Sequence, residues 1–310
     1  MTLAYNDAAN VQILLAVYNG GAHLAEQLES IAAQGHPHWR VIASDDGSWD
    51  NSRTVLDAFG EDHSVIVHDG PRQGAAANFL SLLGHADPND WVAFADQDDI
   101  WLPDKLERSL AALKDIPPET PALFCSRSWI SDADGNPLRL SPPRPRPICF
   151  RNALVQNVVA GNTILLNPAA THLVQAAAQE AGKVVIHDWW IYQIVSGAGG
   201  RIVHDDEPTL LYRQHGQNEI GANDSARERA KRIGMIVTGR FRDWNAINIA
   251  ALRRSEDRLA PENRSLLNGF AEMRASTLPL RLWRLGRLRL YRQGRASTVA
   301  LWLAAALNRL

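Results

Sequence analysis

Three short apolar runs near the amino terminus each break off at polar residues: Val11–Val17 at Tyr18-Asn19, Trp39–Ser44 at Asp45-Asp46, and Trp91–Ala95 at Asp96-Gln97-Asp98-Asp99. Runs of this length that are nearly continuous, rather than alternating, are the pattern of strands covered on both faces. Between them the apolar spacing turns helical, at Leu24, Leu28 and Ile31, over Asn51–Phe59 and over Gly74–Leu83, with a further strand over Ser64–His68. Strand and helix in alternation predict an α/β fold, a mostly parallel sheet with helices on both faces. Ligands of such sheets bind beyond the carboxyl ends of the strands. Here that is where the polar residues fall.

The acidic run is the most pointed of these strand ends. Three carboxylates in four residues repel one another. A hard divalent cation, held by one or two carboxylates and the phosphates of a substrate, is the usual offset. The competing reading is a solvated turn that caps a helix beginning near Pro103, with Asp99 or the residues beside it at its amino end. Further on, a strand over Ala122–Ile130, a turn over Asp132–Asn136 and the proline-rich Ser141–Pro147 lead to a second half. The prolines predict an extended connection. A strand over Thr163–Leu166, a helix over Ala169–Ala178 and a helix from His187-Asp188-Trp189-Trp190 to Val195 follow.

The 310 residues, 45% of them hydrophobic, suffice for one large domain or two smaller ones. A net charge of −2 gives no general case for nucleic-acid binding. The charge is instead uneven: from Arg227 onward there are 18 basic and 6 acidic residues, and none acidic after Glu272. Cys125 and Cys149 lack CxxC spacing, which supports neither a zinc site nor a disulfide framework and fits a reducing compartment. Met1–Asn10 lacks the features of a signal peptide, and the nine-residue run Val299–Leu307 falls short of the ~20 residues that span a bilayer. These features predict a cytoplasmic protein. At ~100° per residue, Arg281, Arg284, Arg292 and Arg295 would share one face of a helix over 279–295, as expected of a peripheral contact with an anionic membrane; a solvated face is the equal alternative.

Five segments in order, Val17-Tyr18-Asn19-Gly20, Ser44-Asp45-Asp46-Gly47-Ser48, Ala95-Asp96-Gln97-Asp98-Asp99-Ile100-Trp101, His187-Asp188-Trp189-Trp190 and Tyr212-Arg213-Gln214-His215-Gly216, resemble the inverting glycosyltransferases of family 2 with a GT-A fold. The third, fourth and fifth together look most like bacterial polysaccharide rhamnosyltransferases. The resemblance runs from about Val11 to Ala222. It implies a GT-A domain over 1–222, with a donor half over 1–140 and an acceptor half over 148–222, followed by a helical, arginine-rich segment over 223–310. It further implies that Tyr18 and Asp46 contact the donor nucleobase, with Asn19 beside them. Asp96 is then the first member of the DxD motif, near ribose and metal, and Asp98 the second, which binds Mg²⁺ or Mn²⁺. Asp188 matches the catalytic base, and His215 helps hold the metal or the diphosphate. Two departures stand out: Trp49 occupies a position where a small residue is usual, and Asn162 follows Gly161 where Cys, Gly or Thr is common.

Sugar transfer from a nucleotide diphosphate needs neutralisation of the leaving phosphates and removal of the acceptor's proton. The cation on Asp98 serves the first. A carboxylate serves the second, and Asp188 is the candidate; on residue type alone a charge at a helix amino end is the favoured reading. Arg213 and Gln214 suit phosphate or hydroxyl contacts. Of Trp189 and Trp190, adjacent on a helix, one is expected in the core and one as a platform for the acceptor sugar. The expected donor is dTDP-L-rhamnose and the expected acceptor a glycan or lipid-linked oligosaccharide. A UDP- or GDP-hexose donor and a silent glycan-binding scaffold are the alternatives. A sugar-nucleotide pyrophosphorylase would want a basic residue in the loop after the first strand, which Gly20-Gly21-Ala22 lacks.

Overall fold

A computed structural model describes residues 9–214 and 239–310. The buried apolar runs form β1 (Val11–Val17), β2 (Trp39–Asp45), β3 (Val65–Asp69) and β4 (Trp91–Asp96), and the helical spacings form α1 (Leu24–Ala32), α2 (Ser52–Phe59) and α3 (Ala75–His85). β1 pairs in parallel with β2 on one side and β4 on the other, and β2 pairs in parallel with β3. The chain therefore winds outward from β1 in one direction and then returns to its other side. The crevice beyond β1 and β4, where that direction reverses, is the position at which open α/β sheets bind ligands.

The second half extends the same sheet. β8 (Leu165–Leu166) pairs antiparallel with β4 on one side and with β6 (Ala122–Ser131) on the other, so β6 runs in the same direction as β4, and β9 (Arg201–Arg213) lies parallel to β6. The short β5 (Ile100–Trp101) closes the far edge on β9, and β7 (Pro137–Leu140) pairs with β6. The resulting order is β3-β2-β1-β4-β8-β6-β9-β5. The helix expected near Pro103 begins at Lys105, as α4 (Lys105–Leu113). Gly161–Thr163 is a single 3₁₀ turn rather than the start of the expected strand.

Helix α5 (Phe150–Ala153) and the longer α6 (Pro168–Ala181) and α7 (His187–Gly197) pack on one face of the sheet with α3. Asn167 starts α6 with both signals of a helix amino end: its Oδ1 accepts from Ala170 N at 2.9 Å and proline follows at the first helical position. The same oxygen accepts from Ala122 N at 2.9 Å and the amide donates to Thr120 O at 2.9 Å, so one side chain joins α6 to the start of β6.

Among the described residues, four further helices follow: α8 (Arg240–Arg254), α9 (Pro261–Ala275), α10 (Leu278–Leu288) and α11 (Arg295–Ala306). Their buried residues Leu252, Leu267, Phe270, Met273, Leu285 and Leu301 share a continuous core with Phe79, Phe94 and Trp190. The expected single basic helix over 279–295 is two helices with a break between them. Arg289 adopts a left-handed conformation (φ 51°) after α10, and the next helix starts only at Arg295. Arg281 is buried and donates to Ala305 O at 3.0 Å and to Ser276 O, so it braces the helices instead of facing outward. Arg292 lies in the break, with its guanidinium 5.6 Å from the centre of the Phe241 ring. The four-arginine face does not form.

Asn167→Ala removes the cap and both links to the β6 edge. We expect it to lower the unfolding free energy by about 1–2 kcal/mol, read as a lower urea midpoint at unchanged slope.

Candidate active site

At the carboxyl ends of β1, β2 and β4, Ala16 pairs with Asp96 and Val17 with Asp45, which sets Tyr18, Asp46 and Asp96 side by side. Gln97 ties the first strand end to the third. Its Oε1 accepts from Tyr18 N at 2.7 Å and its Nε2 donates to Tyr18 O at 3.0 Å. A Cβ on Gly20 would lie 2.5 Å from that Oε1, so only glycine lets the turn pass so close. The neighbouring loop is held as firmly. Asn19 takes a left-handed conformation (φ 51°), open to asparagine, and accepts from Trp49 N at 3.0 Å through Oδ1. Ser48 Oγ accepts from Asn19 N, and Ser52 Oγ from Gly20 N, each at 2.8 Å.

Tyr18 and Trp49 meet edge to face, ring centres 5.9 Å apart, and both are exposed, Trp49 by 79%. An indole so open, fixed at the rim of a cleft, is a surface for a flat ligand. The sequence showed Trp49 only as a departure. Asp46 is buried, its Oδ1 accepting from Arg72 N and its Oδ2 from Gly74 N at 2.9 Å. It shapes the loop that leads into α3.

Asp96 and Asp98 are half-buried at the mouth, whereas Asp99 has no exposure. Asp99 is thus not the helix cap of the competing reading. Its Oδ2 accepts from Asn162 Nδ2 at 2.6 Å and its Oδ1 from Arg213 N at 3.4 Å. Burial, and then the charges of Asp96 and Asp98, push its carboxyl well above the usual carboxylate range. Lys105, also buried, is pushed down to about 7 by desolvation against the pull of Asp99, and its ammonium sits 4.6 Å from the centre of the Trp101 ring.

Arg213 was expected to meet phosphate. Its guanidinium is 2% exposed and turned inward: Nε donates to Asp98 O at 2.9 Å, Nη1 to Ala133 O at 2.6 Å and Nη2 to Glu26 Oε2. It braces the acidic turn against α1 and β9. Gln214, half-buried, donates to Arg213 O at 3.3 Å. His215 and Gly216, and the domain boundary expected at 222, lie outside the described residues.

Asp188, in the first turn of α7, accepts through Oδ1 from Asn157 Nδ2 at 2.9 Å and from Trp189 N, and through Oδ2 from Gly161 N at 3.1 Å. Desolvation outweighs these bonds and raises its carboxyl from 3.8 to about 6. Beside it, His187 stacks on Phe79 with ring centres 4.0 Å apart, and burial lowers it to about 3. A Cβ on Gly161 would approach His187 Nε2 to 2.7 Å, so the turn bonded to Asp188 also needs glycine. The acceptor platform expected of the two tryptophans is not there: Trp189 and Trp190 are 2% and 0% exposed. Trp189 Nε1 donates to Ala153 O at 2.7 Å, and its ring stacks against Phe241 of α8.

The Gly161-Asn162 pair thus joins the two parts of the site, Gly161 N meeting Asp188 and the Asn162 amide meeting Asp99. Gln97, Asn157, Asn162 and Glu26, which hold the site together, carried no sequence signal beyond Asn162 as a departure. As for a metal, among the described residues no three His, Cys, Asp or Glu are grouped as a ready cation site. Asp96 and Asp98 nevertheless fit a hard divalent cation completed by substrate phosphates. They are oxygen donors, and their summed charge already raises Asp99.

Comparison with known proteins bears on this geometry. Residues 12–159 match the family model described as glycosyl transferase family 2. The dTDP-rhamnosyl transferase RfbG of Shigella flexneri is 27% identical over 240 residues, spanning 72% of this chain and 78% of that protein. TarS of S. aureus, solved with UDP-GlcNAc, superposes with a TM-score of 0.55 at 14% identity, covering 97% of this chain and 88% of that one. The mannosyltransferase PcManGT of Pyrobaculum calidifontis, solved with GDP-Man and Mn²⁺, gives 0.50 at 17% identity, with coverage of 99% and 89%.

Replacing Asn162 with alanine strips the buried Asp99 carboxyl of its side-chain donor. The expected cost is about 1–3 kcal/mol of unfolding free energy, measured by urea denaturation.

Proposed function

We propose, from the match of residues 12–159 to the glycosyl transferase family 2 model and the fold shared with TarS, a metal-dependent, inverting transfer of L-rhamnose from dTDP-L-rhamnose to a surface glycan or its lipid-linked precursor. The observation that carries the reading is the hydrogen-bonded unit in which Gly161-Asn162 connects the acidic turn to a carboxyl poised near 6. The rhamnose assignment rests on the motif combination and the likeness to the dTDP-rhamnosyl transferase RfbG. The Mn²⁺ bound in the mannosyltransferase PcManGT, of the same fold, supports the metal.

In this reading Tyr18, Asn19 and Trp49 receive the nucleobase at the rim, and Asp46 fixes the loop below them. Asp96 and Asp98 would hold Mg²⁺ or Mn²⁺, with His215 as a further candidate ligand. When bound, the cation offsets charge that builds on the leaving phosphates. Asp188 takes the proton from the acceptor hydroxyl. The acceptor oxygen forms its bond to the anomeric carbon from the face opposite the departing nucleoside diphosphate, whose bond to that carbon breaks as the new one forms. The configuration inverts in one displacement. A base works best when its pKa lies close to the operating pH and it is deprotonated, and the burial of Asp188 brings it to that condition.

Two measurements test this. Titration calorimetry with dTDP, UDP and GDP, each with Mn²⁺ and with EDTA, should show metal-dependent binding strongest for dTDP and lost in Asp98→Ala. Preference for UDP or GDP would retain the transferase and discard the rhamnose, and no binding of any would discard the enzyme. With the donor identified, kcat should rise with pH to a plateau above about 6. Asp188→Asn should lower kcat by roughly 10²- to 10⁴-fold while leaving nucleotide affinity unchanged.

A further inference from the structure

Helix α11 is apolar on both of its faces. Leu301, Ala304 and Ala305 are buried in the core, while Val299, Trp302, Leu303 and Leu307 are exposed by 59, 39, 59 and 65%. At ~100° per residue those four exposed side chains, with Ala306 between them, fill a stripe of roughly 140° opposite the buried one. A helix that is hydrophobic all round is normally covered all round. Among the described residues, nothing in the core uses the second stripe.

The neighbouring α10 continues this surface. Leu280 and Trp283 are exposed by 40 and 56%, and a Cβ on the intervening Gly286 would touch the Trp302 ring at 3.5 Å, so the two tryptophans flank one small residue. An open groove of about 760 Å³ runs beside them, lined by Arg151, Leu282, Trp283, Gly286, Arg287 and Arg289. The Arg287 guanidinium lies 5.0 Å from the centre of the Trp283 ring. From Met273 to the last residue there are 8 arginines and no acidic side chain, and Arg287, Arg289, Arg295 and Arg309 are exposed.

We propose that the outer face of α10 and α11 is a docking surface for an anionic lipid bilayer. An apolar stripe carrying tryptophan and edged by arginine matches both layers of a membrane interface: acyl chains for the leucines and indoles, phosphates for the guanidinium groups. A second copy of this chain is a poor occupant, since a two-fold contact would bring one arginine-rich surface against another. No helix among the described residues is long and apolar enough to cross a membrane, so the contact is with one leaflet. These residues differ from the basic face read from the sequence. The surface meets the site through one stretch of chain: Arg151 in the groove donates to Leu288 O, and six residues on Asn157 donates to Asp188. The inference does not depend on the donor chemistry, and either can fail alone.

Flotation of the full chain with vesicles tests it. The protein should float with phosphatidylcholine vesicles containing phosphatidylglycerol and stay behind with phosphatidylcholine alone. The double variant Trp302→Ser, Leu303→Ser should lower partitioning about tenfold or more, and Arg287→Glu with Arg295→Glu should abolish the preference for anionic lipid. All the substituted side chains are exposed, and a circular-dichroism melt with metal-dependent nucleotide binding controls for folding. Failure of the wild-type chain to float, flotation unchanged in both variants, or a dimer in sedimentation equilibrium that the serine variant dissolves would overturn the proposal.

Discussion

A carboxyl group without access to solvent has to be satisfied by the protein around it, and at Asp99 the second half of the chain does so for the first. Asn162 and the Arg213 backbone supply its donors, and the Arg213 side chain reaches past it to Asp98 O and to Glu26 of α1. The acidic turn is therefore fixed from beneath, and Asp96 and Asp98 are left half-buried at the mouth. An isolated buried carboxylate would be costly. Here burial and the two neighbouring charges favour the protonated form of Asp99, and Lys105 is close enough to couple to it. The same Gly161-Asn162 turn that meets Asp99 also meets Asp188, so the acidic turn and the Asp188 carboxyl are joined through two adjacent residues.

The parallel half of the fold was legible because its strands are buried on both faces and are bounded by turn residues. β1 and β4 follow their apolar runs to within a residue, and the cleft lies at the strand ends as expected. β9 gave no such signal. Its middle, His204-Asp205-Asp206-Glu207-Pro208, is polar, and its pairing with β6 shifts register where proline interrupts the ladder. The site was legible in its carboxylates and illegible in its supports. Arg213 and the paired tryptophans have residue types that suit ligands, but charge and aromaticity do not reveal whether a side chain faces the cleft or the core. Tertiary packing decided that, by placing α8 over Trp189 and α1 beside Arg213.

The carboxyl-terminal helices show the same ambiguity in reverse. Their arginines suggested a charged face, yet Arg281 is spent on two backbone carbonyls and Arg284 on an ion pair with Glu272 at 3.0 Å. Most of their leucines, which could have been surface residues, join the core that runs beneath α7. The helices are thus part of the support beneath the site: Phe241 of α8 backs Trp189, the residue next to Asp188.

That support has an energetic consequence at Asp188. A carboxyl whose folded pKa lies above its unfolded value binds its proton more tightly in the native state, so the stability it confers falls as pH rises from its ordinary 3.8 through about 6. At neutral pH the ionised Asp188 is therefore held against a desolvation penalty, partly offset by Asn157 and the Gly161 and Trp189 amides. A surface carboxylate would avoid that cost and would also be a weaker base. The core shared by α7 and the last helices contributes to the stability against which this group is kept buried.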